Sequence, residues 1–418
     1  MTQDTDDAHE SSEPYDVMLS IPEAARRVHA LRRSTLATRP TETVPLAECG
    51  GRTLAADVVA DADQPPHSHA TMDGFAFDAT EEYPLRLRDS SVFPEDEPSD
   101  IGEREAVRIA TGAPLPAGAN AVLKREEATV TEEGGEEYLD GPTLSPWTYV
   151  YRRGSNVSAG ETLFAAGERL SAKDTILLRD LGHESVEVHE RLSVALLATG
   201  TEIHEGRHTD LDSPMLAALV RAWGHEATYE GSVPDDYETV RDRVSELADG
   251  YDVVVTTGGT SVGKKDYAIR ALAELGDVLF HRVRIRPGKP IAVADLGDAV
   301  AFAIPGKPVG AHAVTTLVAR PFFVGETRRP TVTATLSRGF DIGVEGFDYV
   351  VPVTLSGDDE ALPLGHVDSP LTVYDETFDP SVLSSSTRAT RADGFVVTDS
   401  GIEAGTSVEV VPYDVVER

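Results

Sequence analysis

Residues 252–267 read DVVVTTGGTSVGKKDY, residues 280–294 FHRVRIRPGKPIAVA, and residues 299–311 AVAFAIPGKPVGA. In each stretch a short apolar run, rich in β-branched residues, abuts a turn built of glycine or proline. Positions 253–255 run into Gly258-Gly259-Thr260-Ser261, and positions 301–304 run into Pro305-Gly306-Lys307-Pro308. Positions 291–293 follow Arg286-Pro287-Gly288-Lys289. Buried parallel strands have this character, and open α/β sheets bind ligands where loops leave the carboxyl ends of their strands.

Charge singles out the same region. The chain of 418 residues carries 72 acids against 37 Lys+Arg, a net charge of −35. Residues 264–307 nevertheless hold eight bases to five acids, and four of the six lysines in the chain: Lys264, Lys265, Lys289 and Lys307. A lysine-poor chain has thus gathered its lysines beside glycine turns whose backbone N–H groups can hold oxyanions. The expected ligand is anionic and phosphate-bearing.

The length implies several domains, and an apolar content of 40% is ample for real cores. So large a negative charge, spread along the chain and with arginine far above lysine, reads as a salt-adapted, halophile-like surface. It argues against nucleic acid or a membrane surface as partner. A single cysteine, Cys49, excludes an intramolecular disulfide and any cysteine-based zinc site. No basic–apolar leader and no apolar run near membrane-spanning length is present, so a cytoplasmic protein is expected.

Taken in order, residues 1–16 form a polar, acidic tail expected to be disordered. Ser20-Ile21-Pro22-Glu23 is a capping box that opens a helix through about Arg33. Residues 43–60 read as extended segments around Gly50-Gly51. Residues 64–79, QPPHSHATMDGFAFDA, place Asp73 in a turn before glycine. His67 and His69 lack the further ligands a metal site needs and read as loop residues. Residues 106–128, AVRIATGAPLPAGANAVLKREEA, read as strand, rigid Thr111-Gly112-Ala113-Pro114 turn, and strand. Residues 131–141 read as a hairpin tip and 171–182 as a capped helix ending on Gly182. From 193 to 323 strands and helices alternate, as in a doubly wound domain. Beyond Pro330 only short alternating strands follow, expected to form a small β-barrel or sandwich.

TTGGTSVGKKDY, RPGKP, PGKPVG, MDGFAF, RIATGAPLPAGANAV and RRGSNVSAGETLFAAG resemble the motifs of molybdopterin molybdenumtransferases, the MoeA/gephyrin E-domain family. The resemblance runs in that family's order over nearly all of residues 17–323, whereas the C-terminal part matches in character alone. It implies a multidomain α/β plus β fold. An elongated, discontinuous domain I would take residues 17–60 and 150–190, and a β-rich domain II residues 61–149. A central doubly wound, molybdopterin-binding α/β domain III would take 191–325, and a C-terminal β-barrel 326–418.

The activity it implies is insertion of molybdate or tungstate into adenylated molybdopterin, with magnesium-dependent release of AMP. The family's functional positions fall on Asp73, Thr111, Asn156, Glu202, Asp235, Asp266, Arg282, Arg286, Pro305 and Pro308. Asp73, Asp235 and Asp266 would be metal ligands, Mg2+ being a hard cation that takes carboxylate oxygens. Glu202 and Thr111 join them as catalytic residues. Substrate would be held by Gly258, Gly259, Thr260, Ser261, Gly263, Lys289 and Lys307 together with Asn156, Arg282, Arg286, Pro305 and Pro308. A homodimer is implied, the site being completed between subunits, along with contact to the molybdopterin adenylyltransferase.

Three departures from the family pattern stand out. Asn156 stands where aspartate is frequent, Arg282 and Arg286 where lysine is, and PGNPVS has become Pro305-Gly306-Lys307-Pro308-Val309-Gly310. Two other readings stay open on the sequence. One is a non-catalytic molybdopterin-binding scaffold, against which the retained Asp73, Asp235 and Asp266 speak. The other is the adenylyltransferase itself, which lacks the MDG and TGAPLP segments.

Overall fold

The computed structural model describes residues 17–259, 267–357 and 359–418, which divide into two compact units. One unit takes the described residues up to Ala55, with Gly167–Ala172 and Glu187–Arg418; the other takes Ala56–Ala166 and Lys173–Val186.

A six-stranded sheet forms the middle of the first unit. Its order is Glu226–Val233, Ser193–Thr199, Val253–Thr257, Val300–Ile304, Ala292–Asp295 and Asp277–His281. Successive side chains on a strand point to opposite faces, and here both faces are buried. Val194, Leu196, Val253, Val255, Phe302 and Ile304 pack with Leu216, Val220, Trp223 and Phe322. Ala195, Leu197, Val254, Ala301 and Ala303 pack with Val240, Val244, Ile269 and Leu272. Double burial explains why the sequence shows apolar runs instead of alternation.

The first four strands are parallel. Ala292–Asp295, however, runs antiparallel to Val300–Ile304, which corrects the reading of all three apolar runs as parallel strands. The connection between them, residues 296–299, is too short for a parallel crossover, which needs a dozen residues or more.

Flanking helices start as their capping residues direct. Ser20 accepts a hydrogen bond from the Glu23 N–H at 3.4 Å, and the helix it opens runs over Ile21–Thr38, past the expected end. Its buried face of Ile21, Ala24, Val28 and Leu31 joins the core under the sheet. The helix Asp212–Ala222 has Leu211 at its N-cap position, and Asp210 Oδ1, one residue earlier, accepts from the N–H groups of Asp212 (3.1 Å) and Ser213 (3.0 Å). Asp236 caps Tyr237–Ala248, accepting from the Thr239 N–H at 3.0 Å.

The C-terminal region closes into a barrel, as expected. Asp348–Leu355, Glu360–Pro363, Val332–Leu336, Ser407–Pro412 and Gly394–Thr398 pair in that order, and the last pairs back onto the first. The short strand Ile285–Arg286 adds to this barrel from outside, parallel to Asp348 and Tyr349. Barrel and α/β layer share one core: the indole of Trp223 donates to the Val416 carbonyl at 3.0 Å, and Phe395 and Val411 pack beside it.

The second unit holds another six-stranded sheet, of order Ala121–Lys124, Gly74–Phe77, Glu105–Ile109, Leu85–Val92, Glu136–Asp140 and Thr129–Glu133. The last two strands form the expected hairpin, turning at Gly134-Gly135. The helix expected over 171–182 spans Asp174–Asp180 and has no side-chain cap. Among the described residues no helix is long and apolar enough to cross a membrane.

Candidate functional site

In the parallel part of the sheet the chain proceeds outward in both directions from the neighbours Ser193–Thr199 and Val253–Thr257. Loops leaving these two carboxyl ends diverge, and the crevice between them is where open α/β sheets bind ligands. Backbone packs directly on backbone here. Gly258 has φ +83°, and a Cβ on it would stand 2.5 Å from the Thr199 carbonyl oxygen. A Cβ on Gly306 would stand 3.1 Å from the Gly258 Cα. The glycines of the first and third motifs are therefore steric requirements.

Beside this contact lies a cavity of about 470 Å³, lined by Gly258 and Gly259, residues 286–290, Pro305, Gly306, Lys307 and Gly310. All three sequence motifs thus meet at one place. Arg286, Lys289 and Lys307 line the cavity, and among the described residues no acidic one does. The Arg286 guanidinium lies over the Phe347 ring at 4.2 Å, and the Lys289 ammonium is 5.7 Å from the same ring. Burial, followed by the charges of Arg282 and Arg286, pulls the Lys289 ammonium below the usual lysine range. The part of this depression that comes from Arg282 and Arg286 is a repulsion that a bound anion would relieve. Arg282 itself sits at φ +79°, rare for a side-chain-bearing residue, with its N–H bonded to the Ile291 carbonyl at 2.8 Å. Pro308 begins the helix Pro308–Val314 directly after Lys307.

The carboxylates stand at the neighbouring loops. Since Asp236 is the helix cap, Asp235 is released from that role. Its N–H donates to Thr201 Oγ1 at 3.0 Å, and its Oδ2 receives the Thr201 N–H at 3.4 Å. This ties Asp235 to the turn Thr201–His204, which carries Glu202, so the two acids are brought to one end of the sheet. Asp266, Thr260, Ser261 and Gly263 lie outside the described residues.

Sequence reasoning missed Asp212. Its side chain is buried, Oδ1 has no partner among the described residues, and Oδ2 lies 3.9 Å from where a Gly306 Cβ would be. Burial and the nearby Asp210 push its carboxyl up to about 6. Pro380, Ser381 and Ser384, from beyond the main barrel strands, also line the cavity and were not foreseen. Lys307 Nζ lies 3.5 Å from the Ser381 carbonyl oxygen.

In the second unit Asp73 and Thr111 are brought together. Asp73 Oδ1 accepts from the Thr111 N–H at 2.7 Å and from its hydroxyl at 2.8 Å. These two bonds hold the Asp73 carboxyl below the ordinary carboxylate range. Asp73 borders a cavity of about 300 Å³ that Arg108 and Arg125 also line. Asn156 is held by other contacts, its N–H to the Gln64 carbonyl at 3.0 Å and its Nδ2 to Asp180 at 3.3 Å. His69 packs edge-on against Tyr151, with ring centroids 5.3 Å apart.

Residues 19–182 match the family described as MoeA N-terminal region (domain I and II), and residues 195–324 match the one described as "Probable molybdopterin binding domain". The molybdopterin molybdenumtransferase of Synechococcus elongatus is 31% identical over 313 residues, covering 69% of this chain and 77% of that protein. That of Bacillus subtilis is 30% identical over 320 residues, covering 72% and 74%. A crystal structure of the molybdopterin biosynthesis MoeA protein from Pyrococcus horikoshii superposes with a TM-score of 0.65 at 29% identity, covering 95% of this chain and 99% of that one.

Proposed function

The chain belongs to the molybdopterin molybdenumtransferase family, enzymes of molybdenum cofactor biosynthesis, and from that premise we propose how its residues divide the work. The α/β unit binds adenylated molybdopterin with its phosphates on the Gly258-Gly259 turn and beside Arg286, Lys289 and Lys307. The observation that carries this reading is the meeting of three motif loops around a cavity with cationic side chains and, among the described residues, no acid. A phosphoanhydride and an incoming oxyanion repel one another, and fixed cations and N–H groups offset that repulsion best inside a partly enclosed site.

Asp235 fits a magnesium ion. Its carboxylate is free of the capping duty, faces the Thr201 turn, and offers hard oxygen. Mg2+ keeps several waters and uses one or two carboxylates plus phosphates, so Asp235 with Asp266 would hold it. When bound, the ion would supply charge neutralisation at the anhydride. Glu202, on the turn that Asp235 grips, would orient water or the phosphate. Asp73 is kept ionised by Thr111 and acts with it on the metal oxyanion. In the homodimer we propose, that pair serves the α/β unit of the other copy. Lys307, with Gly310 in place of serine, would contact the incoming oxyanion, which is molybdate or tungstate. The acidic surface suits a cytoplasm rich in salt, and the product of a molybdopterin adenylyltransferase is the substrate received.

The direct test supplies adenylated molybdopterin, molybdate or tungstate, and magnesium, and measures AMP. Release of AMP that depends on both oxyanion and magnesium is expected. Tight binding of the nucleotide with no release under any combination would instead favour a binding role.

A further inference from the structure

The cavity at the glycine turns is lined by two kinds of hydrogen-bonding group. The three motifs present cations and turn backbone. The lining also includes Ser381 and Ser384, whose hydroxyl hydrogens are already committed. Ser381 Oγ donates to Asp379 Oδ1 at 2.5 Å, and Ser384 Oγ donates to the Ser381 carbonyl at 3.0 Å. A hydroxyl with its one hydrogen spent can still accept through its lone pairs. Towards the cavity these serines therefore offer oxygen acceptors and no donors. The segment is pinned in place, since the Val309 N–H donates to the Ser384 carbonyl at 3.2 Å and Ser384 is only 3% exposed. Lys307 leans on the same segment through the Ser381 carbonyl.

We infer that Ser381 and Ser384 are specificity-determining residues that receive the N–H and amino edge of the pterin ring, while the phosphates occupy the cationic side. The inference rests on the binding mode proposed above and extends it to the C-terminal region, to which the motif reading assigned no functional residue. A pterin carries an exocyclic amino group and ring N–H donors along one edge, the complement of two hydroxyls that can only accept. An adenine ring carries one amino group and otherwise acceptors, so it matches this wall less well. Hydroxyl oxygens that can only accept also disfavour a phosphate, which is left to cations such as Arg286 and Lys289.

The experiment measures binding of 6-hydroxymethylpterin and, separately, of AMP to the full-length protein and to Ser381→Ala, Ser384→Ala and Ser381→Thr. Loss of one acceptor should raise the pterin dissociation constant about tenfold. AMP affinity should stay as in the wild type, and Ser381→Thr, which keeps the hydroxyl, should retain pterin binding. Ser381 is exposed and its alanine variant will fold even if Ser384→Ala does not. Unchanged pterin affinity in both alanine variants overturns the inference. An equal fall for AMP overturns it too, assigning the wall to adenine. A wild-type protein that binds neither probe defeats the underlying binding mode, a result distinct from either of these.

Discussion

Replacing Asp212 by asparagine should stabilise the protein at neutral pH and lose that advantage in acid. The buried carboxyl has its affinity for a proton raised from the ordinary 3.8 to about 6 by burial and by Asp210. A folded state that binds the proton more tightly than the unfolded chain is fully favoured below the ordinary value. That favour is lost as pH rises through about 6. At 1.36 kcal/mol per pH unit, the ionised form costs the fold about 3 kcal/mol at pH 8 and about 1 kcal/mol at pH 4.5. Asparagine has the same shape and no charge, so the wild type should fall behind the variant by about 2 kcal/mol between those two pH values. Any fixed cost of burying the amide is the same at both and cancels. Denaturant unfolding at constant high salt, run on both proteins across that range, reads the difference. A stability gap that does not change with pH would refute the reasoning. A carboxyl kept at such a cost beside Gly306 marks a place where packing has yielded to something other than stability.

Asp235 and Asp236 should separate cleanly: Asp236→Ala removes a helix cap and costs about 1 kcal/mol in unfolding free energy with turnover retained, whereas Asp235→Ala should abolish AMP release and change stability by less than about 0.5 kcal/mol. Asp73→Ala should stop metal insertion without lowering the melting temperature, because the side chain is exposed and, among the described residues, hydrogen-bonds to Thr111 alone; wild-type turnover in that variant removes Asp73 from the mechanism. Lys307→Asn should weaken molybdate or tungstate binding about ten- to a hundredfold, and adding Gly310→Ser should restore it, since a Cβ at 310 would meet Gly288 N at 3.4 Å and Pro287 Cβ at 3.5 Å, ordinary contacts. Equal oxyanion affinity at matched ionic strength in wild type and Lys307→Asn leaves that lysine a turn residue. Sedimentation at micromolar protein should show a dimer, and a fully active monomer would refute the shared site.

What could be read from sequence tracks how local each signal is. The apolar runs gave the doubly wound sheet because burial on both faces leaves no polar residue between Val253 and Val255 or between Ala301 and Ile304. The antiparallel turn of Ala292–Asp295 was visible in the short 296–299 connection, but composition resembling a parallel strand concealed it. Asp235 and Asp236 are adjacent acids before one helix, and nothing in their order says which caps; only the bond from Thr239 decides it, and it frees the other for chemistry.

The cavity's far wall was beyond sequence reasoning for a different reason. Asp379-Pro380-Ser381 is legible as a helix start, and Asp379 does cap the short helix Pro380–Leu383. Which cavity that start borders depends on pairings between distant segments. Ile285–Arg286 must lie along Asp348 and Tyr349 so that the RPGKP turn meets the barrel, and the Val309 N–H must reach Ser384. Neither pairing leaves a periodicity in the chain. Asp212 is hidden in the same way, since an aspartate at the start of a helix reads as its cap. Here Asp210 accepts from the first-turn N–H groups and Asp212 is left buried against the Gly306 turn. In each case a residue type with a common structural use was displaced from it by a neighbour doing that job, and the displaced residue is the one that faces the site.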